Sequence, residues 1–146
     1  MSEYIFGVHD YHPDISSILR EKNKTAWIVH TTAIGVNPND MNGGNFSNDR
    51  TTAIVRINNG YGSAGTIPLP HVYEDFSKRA ANFVANSQGI SYVVIANEIV
   101  MPWDYPEGQV ITLENYLKCY RLCYQKIKSV APQVKIAPQA PGLWNP

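Results

Sequence analysis

Apolar and polar residues alternate along this chain with two periods, and together they predict strands and helices that follow one another from end to end. Five short runs rich in β-branched and aromatic residues are typical of buried strands. They cover residues 4–9, 25–30, 52–57, 91–98 and 134–138. Apolar residues spaced three and four positions apart predict amphipathic helices between several of these runs.

Helix termini can be predicted from capping and breaking residues. Asp14 precedes the first apolar helical positions and predicts an N-cap. The second helix is predicted from residue 71 or 72 to residue 86, with Gly89 as its C-terminal stop. The third is predicted over residues 112–130. Residues 35–50 are rich in Asn, Gly, Asp and Pro, which predicts a long loop.

The order of these elements predicts the fold class. Strands and helices alternate without a meander, which favours an α/β fold with a parallel sheet and right-handed crossovers. We expect residues 1–146 to form a single domain of parallel (β/α) units. A closed eight-stranded barrel takes about 250 residues. Two interpretations remain, a complete open sheet and a partial TIM-type barrel, and the second is our prediction.

Composition and charge narrow the classes of partner. The chain has 12 Lys and Arg against 12 Asp and Glu, so no basic surface for nucleic acid or anionic lipid is expected. No apolar run approaches the roughly 20 residues that span a bilayer. The N-terminus lacks a basic region and a cleavage site, so we expect no secretory signal in this chain, and its compartment stays open.

No cofactor-binding pattern is present in the sequence. Cys119 and Cys123 lie four residues apart in the third predicted helix, where a disulfide is poorly placed, so we expect two buried thiols. They are not accompanied by His or Cys at metal-ligand spacing. The glycines of residues 60–65 lack the spacing of a phosphate-binding loop. We therefore expect neither a metal nor an organic cofactor.

Asn97 and Glu98 are the strongest candidates for a functional site. They end the fourth predicted strand, and ligands meet parallel sheets at the carboxyl ends of the strands. A carboxyl group beside an apolar strand is partly desolvated, which favours its protonated form and suits a general acid. The alternative is a structural carboxylate that is hydrogen-bonded at the sheet edge.

Other polar and aromatic residues are predicted to lie at the same end of the sheet. Two histidines end the first two strands, an arginine and an asparagine lie at the end of the third, and two tryptophans lie in later loops. For the arginine, a salt bridge to Glu98 or Asp10 is the structural alternative, and for the tryptophans it is loop packing. We expect these residues to bind substrate: His9, His30, Arg56, Asn58, Trp103 and Trp144.

Asn97 and Glu98 resemble the acid/base motif of clan A glycoside hydrolases, which are (β/α)8 barrels. In that clan the motif also ends the fourth strand. Gly7-Val8-His9 on strand one and the polar loops after strands three and five agree with the resemblance. It implies that Glu98 is the general acid/base, that Asn97 contacts the hydroxyl next to the scissile carbon, and that the substrate is a β-linked glycoside or oligosaccharide.

The sequence departs from that clan in two places. Ala96 occupies the position where glycine is more usual. The clan's nucleophile is a second glutamate on strand seven, which lies beyond the five strands predicted here, so we expect no glycoside hydrolysis by this chain alone. The alternative is a non-catalytic carbohydrate-binding or scaffolding half-barrel, which could close by homodimerisation. Exposed strand edges also predict self-association.

Overall fold

The computed structural model describes residues 6–9, 15–35 and 42–139. These residues form an all-parallel sheet with helices between the strands. The strands are β1 (Phe6–His9), β2 (Ala26–Ala33), β3 (Thr51–Asn58), β4 (Ile90–Ile95) and β5 (Lys135–Pro138). The α-helices are α1 (Ile15–Glu21), α2 (Tyr73–Ala85) and α3 (Leu113–Val130). Short 3₁₀ helices follow β3 and β4, and they are η1 (Gly62–Ala64), η2 (Pro70–Val72), η3 (Pro102–Asp104) and η4 (Pro106–Gly108).

The five strands lie in sequence order, β1-β2-β3-β4-β5, and every neighbouring pair is parallel. The predicted α/β class and strand order are confirmed. Right-handed crossovers in this order place successive helices on one face of the sheet. Among the described residues β1 and β5 pair with one neighbour each, so the sheet is open rather than a closed barrel. The order has no reversal, so the sheet lacks the switch point at which doubly wound folds bind ligands.

One face of the sheet is buried against the helices. Val55 of β3, Val93 of β4 and Phe76 of α2 are each 0% exposed and belong to one continuous core. Alternate strand positions point to the opposite face. There the half-buried rings of Trp27 and Tyr92 meet edge to face, with centroids 5.0 Å apart. The sheet therefore has a helix-covered face and a second face that carries aromatic side chains.

The second and fourth strands differ from their predicted limits. β2 was predicted to end at His30, but it continues to Ala33 because residues 31–33 pair with residues 56–58 of β3. β4 ends at Ile95, two residues before Asn97. The predicted fourth strand included Asn97 and Glu98, whereas these residues lie in the turn that follows β4.

The sequence predicted that Gly89 ends α2, but that helix stops at Ala85. The φ angle of Gly89 is 75°. A Cβ atom at this position would lie 2.4 Å from the backbone nitrogen of Ser47. Glycine is needed here for a close approach between the start of β4 and the 42–50 segment, which pairs through a bridge between Asn45 and Gln88. Residues 42–50 contain no helix, in agreement with the predicted loop.

Cys119 and Cys123 are free thiols and both are 0% exposed, which confirms their predicted role in the core. A hydrogen bond with Cys123 and burial both raise the pKa of the Cys119 thiol. Because the thiolate is the reactive form, this keeps Cys119 unreactive.

Candidate functional site

The turn after β4 begins with Ala96, which has an unusual backbone conformation. Its φ angle is 72°, its side chain is 0% exposed, and its N–H donates to the Ile57 carbonyl over 2.9 Å. A left-handed conformation is unfavourable for residues with a Cβ atom. This turn directs Asn97 and Glu98 away from the strand. Glycine, which has no Cβ atom, would adopt the same conformation at position 96 without strain.

We expect Ala96→Gly to leave stability nearly unchanged, although glycine destabilises most buried positions. Losing a buried methyl group costs about 0.8 kcal/mol, and the freedom of glycine adds roughly 0.5–1 kcal/mol. Relief of the left-handed alanine returns about 1–2 kcal/mol. Ala53→Gly is the matched control, because Ala53 is 1% exposed and lies within β3. Equal losses for both variants in urea unfolding would contradict strain at Ala96.

Asn97 is held by two hydrogen bonds. Its Oδ1 accepts a hydrogen bond from Arg56 Nη1. Its backbone N–H donates to Thr66 Oγ1 over 2.6 Å. Oδ1 therefore faces the arginine, and the Nδ2 end of the Asn97 amide remains for a ligand.

Thr66 connects the ends of β3 and β4. It is 0% exposed, and its hydroxyl donates to Asn58 Oδ1 over 3.1 Å while accepting from Asn97. Asn58 was predicted to bind substrate, but it is only 1% exposed. The structure thus places Asn58 beneath the surface, as a support for Thr66 rather than in contact with a ligand.

Arg56 also contacts His9 at the end of β1. Its Nη2 lies 2.9 Å from His9 Nε2. A guanidinium can only donate, so His9 Nε2 is the acceptor, and the proton of the neutral ring is on Nδ1. His9, Arg56 and Asn97 are therefore brought together by direct hydrogen bonds across β1, β3 and the end of β4. This part of the predicted cluster is present in the structure.

Glu98 lies beside this group but does not pair with Arg56. The guanidinium contacts are to Asn97 and His9 instead. Glu98 is half-buried, and no other described residue hydrogen-bonds or ion-pairs with its carboxyl group. A carboxyl group that is partly shielded and not held by a partner can exchange protons with a ligand.

Asp104 is a buried acidic residue near this cluster that the sequence analysis did not single out. It lies in η3 and is 8% exposed, and its backbone carbonyl accepts from the Thr66 N–H over 3.0 Å. Burial raises the pKa of Asp104, the Asn97 side chain opposes the rise, and the nearby Glu98 charge adds to it. Its sequence signal is a carboxylate in a proline-rich loop just after Glu98.

The prediction that His30 belongs to this cluster is wrong. His30 pairs in register with Val55, whereas Arg56 pairs with Thr31, so His30 and Arg56 point to opposite faces of the sheet. The His30 ring instead meets Phe46 edge to face, with centroids 5.2 Å apart. Phe46 in turn packs on Phe83 of α2, so His30 faces the helices.

The two predicted tryptophans have different outcomes. Trp103 lies in η3, directly before Asp104, and is 66% exposed. Its indole ring therefore presents an apolar surface to solvent. Trp144 lies outside the residues that the structure describes.

The described residues contain neither a cluster of metal ligands nor a membrane-spanning helix. No group of three or more His, Cys, Asp and Glu side chains there could hold a metal ion. None of the described helices is both long and apolar enough to cross a bilayer. Comparison of the chain with models of known protein families and with curated protein sequences found no match.

Proposed function

We propose that this chain is the part of a glycoside hydrolase-like (β/α) barrel that binds a β-linked glycoside and carries its general acid/base, Glu98. The observation that carries the proposal is the pair Asn97-Glu98 directly after the fourth strand of a sequentially ordered parallel sheet. The hydrogen bonds to Arg56 and Thr66 support a binding role for Asn97, since they hold this residue next to Glu98.

The chemistry follows from the two side chains. A protonated Glu98 would donate its proton to the glycosidic oxygen as the bond to the leaving group breaks, and would later accept a proton from water. The free N–H of Asn97 would donate to the neighbouring sugar hydroxyl. Trp103 offers an exposed ring face for stacking, which is a common way to bind a sugar's apolar side.

Retaining hydrolysis also needs a nucleophilic carboxylate about 5–5.5 Å from the acid/base. Asp104 does not fit that role, because it is buried. The nucleophile must come from outside the five described strands. A second candidate is therefore a carbohydrate-binding half-barrel without catalysis, and the open sheet, in which β1 and β5 each pair with one neighbour among the described residues, favours it.

Sugar binding is the test that both candidates must pass. We expect cellobiose and other soluble β-linked disaccharides to shift the NMR signals of Asn97, Glu98 and Trp103. Arg56→Ala should weaken binding about tenfold or more, because a charge-assisted hydrogen bond contributes roughly 1.5–3 kcal/mol. Arg121→Ala is the control, since Arg121 is exposed on α3. Shifts confined to other surfaces, or binding insensitive to Arg56, would contradict the proposal.

Turnover separates the two candidates. We expect the monomeric chain to release no nitrophenol from aryl β-glycosides, because the covalent step lacks its nucleophile. Turnover by the monomer that disappears in Glu98→Gln would show that a second carboxylate has been missed. Binding without turnover in any assembly of the chain would favour the half-barrel that only binds.

A further inference from the structure

Helix α3 exposes a line of apolar side chains to solvent. Residues spaced by four, three and four positions lie above one another on a helix. Here they are Leu113, Leu117, Tyr120 and Tyr124, which we call the α3 seam. Leu113 is 67% exposed, Leu117 is 36% exposed and Tyr124 is 42% exposed, while Tyr120 is half-buried. Such a line of large apolar side chains on a helix is typical of a surface that packs against another helix.

The α3 seam does not pack against α2. The residues of α3 that line its groove with α2 occupy other positions of the helix, and they are Asn115, Lys118, Leu122 and Gln125. Since α3 turns 100° per residue, these positions and the seam lie on opposite flanks of the buried face that carries Cys119 and Cys123. One flank of α3 therefore meets α2, and the other carries the exposed seam.

The aromatic part of the seam is already ordered in the folded chain. The Tyr120 ring lies between those of Tyr116 and Tyr124, with centroid distances of 6.1 and 6.2 Å. The Tyr120 hydroxyl donates to the Ile136 carbonyl of β5 over 3.2 Å. Rings that are held before binding lose little conformational entropy when a partner covers them. Tyrosine is also enriched at protein interfaces.

Opposite charges border the seam on its solvent side. Glu114 and Arg121 are seven residues apart, so they lie in one line along the helix, two turns from each other. Glu114 pairs with Lys118 over 2.8 Å, but the two side chains are 77% and 59% exposed, and such a pair contributes little. Arg121 is exposed and has no hydrogen-bond or ion-pair partner among the described residues.

We propose that the α3 seam is the surface through which two copies of this chain associate, with their α3 helices antiparallel. A two-fold axis between Leu117 and Tyr120 brings Leu113 of each copy to Tyr124 of the other. It also brings Glu114 of each copy beside Arg121 of the other, which gives two equivalent ion pairs. Parallel helices would instead place like charges together. The seam and its bordering charges are thus complementary to themselves, as a two-fold dimer requires.

The first test measures the mass of the chain by sedimentation velocity over a wide range of protein concentration. The seam extends over only about 16 Å of helix, so we expect a weak dimer whose population rises with concentration. Leu117→Glu should weaken association about tenfold or more, because each copy would bury a charge in place of a leucine. Leu117 lies outside the core, so the variant keeps the fold. Val130→Glu is the matched control, since Val130 is 50% exposed on the same helix but outside the seam.

The second test uses the bordering charges and identifies the partner as a second copy. Glu114→Arg alone and Arg121→Glu alone should each weaken association, because each places like charges at both contacts. An equal mixture of the two variants should associate again, because a dimer of one copy of each has opposite charges at both contacts.

A chain that stays monomeric at every concentration would overturn the proposal. So would association that Leu117→Glu leaves unchanged, which would indicate the strand edges instead, or a mixture that associates no better than either variant alone. The inference does not rest on the proposed function, because neither test involves a sugar.

Discussion

Replacing Arg79 with methionine should lower the free energy of unfolding by about 3 kcal/mol. The Arg79 side chain is 1% exposed. It donates to the Asn59 amide oxygen over 2.9 Å, to the Gly35 carbonyl, and to the Asp75 carboxylate over 2.9 Å. Methionine would fill much of the same volume but donate nothing. The buried acceptors left without a donor cost about 1–3 kcal/mol each.

The effect has a matched control in another arginine. Arg20 holds Asp49 through two hydrogen bonds of 2.6 and 3.2 Å, but both side chains are more than half exposed. Exposed pairs contribute little because water and salt screen them. Arg20→Met should therefore change the urea midpoint far less than Arg79→Met. Comparable losses in the two variants would mean that the Arg79 contacts do not stabilise the loops after β2 and β3.

Tyr116→Phe should lower stability by about 2 kcal/mol. Its buried hydroxyl donates to the Ile95 carbonyl over 3.0 Å and accepts from the Gln139 N–H over 2.7 Å. Phenylalanine would leave both backbone groups without this partner, and an unsatisfied buried group costs about 1–3 kcal/mol. Tyr124→Phe is the control on the same helix, because Tyr124 is 42% exposed. Equal thermal stability of both variants would contradict a link between β4, α3 and β5 through Tyr116.

The same tyrosine gives this prediction a pH dependence. Burial raises the pKa of Tyr116 above its ordinary value of 10.0, so the folded state holds the phenolic proton more tightly than the unfolded state. That contribution is complete below pH 10 and is lost as the pH rises further. We expect Tyr116→Phe to reduce the alkaline loss of stability. Part of the loss should persist in the variant, because burial also raises the pKa of Tyr73 to about 12.

Most of the fold could be predicted because most of its strands and helices show a clear hydrophobic periodicity in the sequence. The β-branched runs of β3 and β4 and the apolar face of α3 give strong local signals. The end of β2 gave a weak signal, since Thr31 and Thr32 are polar side chains that are nevertheless paired with β3. Gly89 was misassigned because a glycine that ends a helix and one that permits close backbone approach look the same in sequence.

Only those residues of the candidate site that lie next to strand ends could be predicted from the sequence. Asn97 and Glu98 could be placed because they follow an apolar run. His30 could not be placed correctly, because strand alternation decides which face of the sheet a side chain occupies. Its predicted position at the end of a strand did not determine that face. The partners of Arg56 depend on three-dimensional distance, so the sequence could not show that Asn97 and His9, rather than Glu98, contact it. Asp104 joins the site through the path of a loop, which periodicity does not describe.

The sequential strand order also has a consequence for local unfolding and amide hydrogen exchange. Opening β1 or β5 breaks hydrogen bonds with one neighbour, whereas opening β3 breaks those with two. Protection against exchange should therefore rise from the edges of the sheet towards its centre. Arg56 lies on β3, so we expect the anchor of the Asn97 amide to be on the strand whose backbone opens least often. The contact between Arg56 and Asn97 should therefore persist while the edge strands open and close, whereas the contact with His9 on β1 should break.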